Sequence, residues 1–188
     1  MAIAVAIFSV SASRIATFVS VRWAFVIGIV FAAIGNAGMI WLGVSGGVGL
    51  YLVSSAVAGI GYGMIFSLVS NVAVSSVPTE RSGAAVGISE TSFELGTAFG
   101  LAILGSVATM VFRSNTENTG AKDTLSETLT HAQDLDPAAQ ATLADTARNA
   151  FVDGLHVTAG VNVALLAAMA VIVAVLLRTR TPVTQPAK

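Results

Sequence analysis

Two carboxylates, Glu90 and Glu94, stand inside the otherwise apolar run 83–112. An ionisable side chain near the centre of a bilayer costs about 2.5 to 3.5 kcal/mol on insertion scales, so two of them in one run call for a physical reason. Four residues apart, they share one face of a helix, and Gly83, Gly87 and Thr97 fall on the same stripe. At 1.5 Å per residue Glu90 lies about 10 Å and Glu94 about 16 Å beyond Gly83, deep within a membrane-sized helix. A carboxyl in such a place can hold either a proton or an organic cation. Loading one favours the leaving of the other, which is the elementary step of proton-coupled cation export. The plainer reading is that both groups are neutral and hydrogen-bonded to neighbouring helices through residues such as Asn36, Asn71 or Ser67.

Other residues could serve or merely fill such a site. Phe66, Phe93 and Tyr62 have faces that attract a cation, and Phe66, Phe93 and Asn71 are candidate cavity-lining residues. Plain packing for the aromatic residues, and interhelical hydrogen bonding for Asn71 and Asn162, are the structural readings. The run Gly59-Ile60-Gly61-Tyr62-Gly63 lacks a full dinucleotide-binding fingerprint and sits within an apolar stretch instead of at a strand-to-helix turn. Gly59 and Gly63, four apart, suit close helix packing, as do Gly96 and Gly100, which with Ser92 form a ridge on the other side of the helix from the acids. There is no cysteine, and the histidines His131 and His156 are isolated, so no metal site or cofactor is expected. With no nucleophile beside a base, no enzyme is expected. The net charge of −1 comes without a basic stripe, so no nucleic-acid partner is expected either.

The elements that must position these residues follow from composition. Of 188 residues 55% are hydrophobic and only 10% charged, with mean hydropathy +0.84, whereas soluble domains carry about 25% charged residues. A chain like this partitions into lipid. A spanning helix needs about 20 mostly apolar residues. The sequence therefore predicts an all-α, polytopic transmembrane bundle of about five spans: 1–13, 23–42, 50–77 and 83–112, then 154–177. Between the last two lies the polar segment 113–153, which holds seven of the ten acids and three of the nine bases. Thr124 with Glu127 forms a capping-box pattern, and Asp136 before Pro137 reads as an N-cap with proline at the first helical position. A helical hairpin outside the bilayer is expected there.

Alternation of spans puts Arg14, Arg22, Arg81, Arg178, Arg180 and Lys188 on one side. By the positive-inside rule that side is the cytoplasm, which gives a multi-pass protein of the cytoplasmic membrane with a cytoplasmic tail at 178–188 and the acidic hairpin outside. The first stretch is too short to span, since 13 residues reach only about 20 Å. Truncation of a longer membrane protein is the expectation, a signal peptide the competing one.

The segment from Arg81 through Glu90, Glu94, Gly96 and Gly100 to Ser106 resembles the penultimate helix of the fourteen-span drug:proton antiporters of the major facilitator superfamily, the QacA and SmvA type. Arg14 to Arg22 resembles the basic loop after span ten. Gly59 to Gly63 followed by Asn71 and Pro78 resembles span twelve, and Ala150-Phe151 after a long outer hairpin resembles the family's ending. The resemblance covers nearly the whole chain as spans ten to fourteen. It implies export of hydrophobic cationic drugs in exchange for protons, with Glu90 and Glu94 as cation and proton sites and the hairpin shaping the outer opening. It also implies that the lipid bilayer and the missing N-terminal helices of the same transporter are partners, because the family binds substrate between two six-helix bundles. The alternative is a truncated or partner-dependent membrane fragment with no transport of its own.

Overall fold

The computed structural model describes residues 20–44 and 47–176. The stretch expected to form the first span, and the tail at 178–188, lie outside the described residues. Among the described residues the fold is all-α: α1 (Val21–Gly38) continued by a 3-10 turn (Met39–Trp41), α2 (Val48–Ser75), α3 (Ser82–Thr116), α4 (Leu125–Ala132) and α5 (Pro137–Leu176). Four of the helices, α1 with its 3-10 turn, α2, α3 with the turn before it, and α5, are long and apolar enough to cross a membrane.

α1 and α2 pack through small residues. A Cβ added to Gly35 would collide with the Ala58 backbone nitrogen, and one added to Gly61 with that of Ala32. Gly28 faces the same seam, where its Cβ would meet Ile65, Met64 and the Gly61 carbonyl. Between helices with no hydrophobic drive to associate, such backbone proximity is what supplies dispersion contact. Gly59 and Gly63 are buried as well, but the close approach between α1 and α2 belongs to Gly61, Ala58 and Ser54.

α5 joins this pair by polar groups. Asn36 is 8% exposed, and its amide donates to the Ala32 carbonyl at 2.8 Å and to the Tyr62 hydroxyl at 3.0 Å. The Asn162 amide donates to Asn36 Oδ1 at 2.9 Å and to the same hydroxyl at 3.1 Å. One side chain from each of three helices thus closes a single network. Nearer the hairpin, His156 Nε2 lies 2.7 Å from the Leu42 carbonyl. A carbonyl only accepts, so the proton sits on Nε2.

The hairpin is a folded unit. α3 ends in a turn through Asn118 and Gly120, both in the left-handed region. Thr124 Oγ1 then accepts from the Glu127 amide, and Asp136 Oδ1 from the amides of Ala138 and Ala139, with Pro137 first in the helix. These are the two caps the spacing implies. Thr128, fully buried, accepts from the Lys122 amide and bonds the Thr124 carbonyl. Phe112, Ala147 and Ala150 form the core beneath, with Leu125 against it.

One boundary differs from the sequence expectation. The second arm of the hairpin and the last span form one continuous helix of 40 residues, about 60 Å long and so about twice the hydrocarbon thickness. Asp145, Arg148 and Asp153 make the first half of this helix polar, but a change from polar to apolar side chains does not by itself end a helix.

Candidate functional site

Over most of its length α3 stands apart from the other described helices. Its last turns lie against α5, where the backbone of Ala108 faces Gly154 at a distance that leaves a Cβ 3.1 Å from the Ala108 carbonyl. Farther down, Phe93 meets Phe66 of α2, with ring centroids 4.9 Å apart and planes tilted by 36°. Offset or tilted aromatic pairs of this kind add about 0.5 to 1.5 kcal/mol beyond their buried area.

Glu90 and Glu94 are on the same turns of α3 as Phe93, both to one side of it. At 100° per residue, Phe93 sits about 60° to one side of Glu90 and Glu94 about 40° to the other, so the three span roughly 100° of helix surface. Both carboxylates are exposed, and neither makes a hydrogen bond or ion pair to a described residue. Asn36, a candidate partner in the plainer reading, is occupied by Tyr62 and Asn162. Asn71, another, is exposed and makes no hydrogen bond to a described residue. The hydroxyls of Thr91, Ser92 and Ser106 donate to carbonyls of their own helix at 2.7 to 2.8 Å. A carboxylate can only accept and has no such local outlet.

The stripe of Gly83, Gly87, Glu90, Glu94 and Thr97 is exposed along its whole length. Gly96 and Gly100, expected to pack, have nothing within 4 Å of an added Cβ, so the described residues leave that ridge open too. Of the candidate lining residues, Phe66 and Phe93 come together and Asn71 stays apart. The Asn36–Tyr62–Asn162 network was not legible as a unit, because its members are separated by 26, 100 and 126 residues. The available signal was a single hydrogen-bonding side chain recurring in each of three apolar runs.

Long apolar helices joined by small-residue and polar seams define a multi-pass membrane protein of the helical-bundle class. The sequence matches the Major Facilitator Superfamily over residues 1–114, and the chain belongs to that superfamily, a family of transporters and not of enzymes. The multidrug efflux pump LfrA of Mycolicibacterium smegmatis (strain ATCC 700084 / mc(2)155) is 37% identical over 163 residues, which covers 81% of this chain and 32% of the pump. The chain thus spans about a third of the length of that curated relative. No solved structure matches.

Proposed function

We propose that this chain is the C-terminal part, about spans ten to fourteen, of a proton-coupled multidrug exporter that moves hydrophobic organic cations out across the cytoplasmic membrane. The observation that carries the reading is a pair of carboxylates, met by no hydrogen bond or ion pair from a described residue, on the apolar helix whose Phe93 packs on Phe66. The printed name of the 37% identical relative, a multidrug efflux pump, supports the same class of cargo. A flat aromatic cation would lie against the ring faces and set its charge against Glu90 or Glu94. Such ring contact contributes about 0.5 to 2 kcal/mol, more as water is excluded.

Like charges on adjacent helical turns repel, so the acidic pair is most stable when it holds positive equivalents. One dication, one monocation with a proton, or two protons each satisfy it. Exchange among these states couples an outward cation to an inward proton. The N-terminal helices of the same transporter would cover the open stripe of α3 and enclose the cavity. Two ends of the bundle then differ in charge, with the basic loops in the cytoplasm and the acidic hairpin outside.

The test is dye efflux by the intact transporter. Glu94→Gln should abolish export of a dicationic dye while expression stays normal. Unchanged efflux would remove the assignment.

A further inference from the structure

At the foot of the hairpin, where α3, α4 and α5 meet, lies a cleft of about 390 Å³, within the roughly 300 to 1,000 Å³ typical of small-molecule sites. Its apolar walls include Ala108, Phe112, Leu125 and Phe151, and the one charged group lining it is Asp123. Phe112 is 5% exposed and forms the floor, whereas Phe151 is 52% exposed and stands as a free wall. Thr109, also in the lining, is 15 residues beyond Glu94, about 22 Å farther along α3. The cleft is therefore separate from the acidic stripe.

Its electrostatics favour one sign of ligand. Segment 113–153 carries seven carboxylates against three cationic side chains, a net charge of −4 with histidine neutral. A field of that sign concentrates cations and repels anions, including anionic lipid headgroups. Asp123 at the cleft is met by Arg113 at 3.3 Å, but both side chains are largely exposed. An exposed pair of this kind is worth about 0 to 1 kcal/mol, so a ligand cation can displace the guanidinium at small cost.

We propose that this cleft is a second binding site, on the hairpin side of the membrane, for an amphipathic organic cation. Its rings enter between Phe112, Leu125 and Phe151, and its charge replaces Arg113 at Asp123. The ligand class comes from the cleft's own chemistry and stands whether or not Glu90 and Glu94 carry transport.

The experiment measures equilibrium binding of radiolabelled tetraphenylphosphonium to the full chain in detergent, in a Glu90→Gln, Glu94→Gln background that silences the acidic stripe. Saturable binding should persist. Asp123→Asn and Phe151→Ala should each weaken it about threefold to fivefold, and Arg113→Gln, which frees the carboxylate, should tighten it by a similar factor. Disrupted folding cannot produce that tightening. The neutral analogue triphenylphosphine oxide should compete poorly. Binding that ignores Asp123→Asn, fails to tighten with Arg113→Gln, or is displaced equally by the neutral analogue would overturn the proposal and leave an apolar groove filled by lipid chains. If instead the intact transporter with both glutamines still exports a dicationic dye while the cleft variants behave as described, the cleft survives and the stripe's role fails.

Discussion

Two groups of polar side chains sit in apolar helices of this chain, and they are treated in opposite ways. Asn36, Tyr62 and Asn162 are spent on one another across three helices. Glu90 and Glu94 are met by no described side chain, although their insertion costs far more. A polar group whose hydrogen bonds close within the fold holds helices together. One left open at such expense is available to something that comes and goes. The neutral amides therefore mark scaffold, and the acids mark the proposed site.

The comparison breaks first at the seam that sets the scaffold. Gly61→Leu would drive a side chain into the Ala32 and Gly28 backbone, which cannot retreat without parting α1 from α2. Overpacking of this kind costs about 3 kcal/mol or more, and the chain should express poorly or lose its cooperative thermal transition. A normal melting curve would show that the helices do not approach as closely as described.

Asn36→Leu comes next. It removes three hydrogen bonds and should lower unfolding stability in detergent by about 1 to 2 kcal/mol, the upper range for interhelical bonds in membranes. Tyr62→Phe keeps the ring and loses two accepted bonds, for about 0.6 kcal/mol. In both, tetraphenylphosphonium affinity should hold. The smallest loss sharpens the contrast: Glu90→Gln with Glu94→Gln should not lower stability at all, since no hydrogen bond or ion pair to a described residue is lost and two charges are removed from an apolar helix. A marked destabilisation there would make the acids scaffold after all.

The difference between these groups was only half legible in the sequence. Glu90 and Glu94 were visible because charge inside an apolar run is rare and four-residue spacing fixes a common face. The caps at Thr124 and Asp136 were visible because they depend on neighbours within three residues. The amide network was not, since nothing local relates Asn36 to Asn162. Nor was the contact of His156 with the Leu42 carbonyl, 114 residues away. Small residues misled in a related manner. Glycine spacing says that a helix can be approached but not by what, so Gly61 forms the α1–α2 seam while Gly96 and Gly100 face no described residue. The unbroken α5 is not legible in hydropathy, which reports surroundings, whereas a helix ends only where capping or proline ends it.

The central claim is that cation and proton compete for the same two carboxylates. It is tested by mixing a dicationic dye with the intact, weakly buffered transporter and following pH with an indicator. Protons should be released in proportion to dye bound, dye affinity should fall as the medium is acidified, and both effects should vanish in the double glutamine variant. Dye binding that releases no protons and is indifferent to pH would contradict the account.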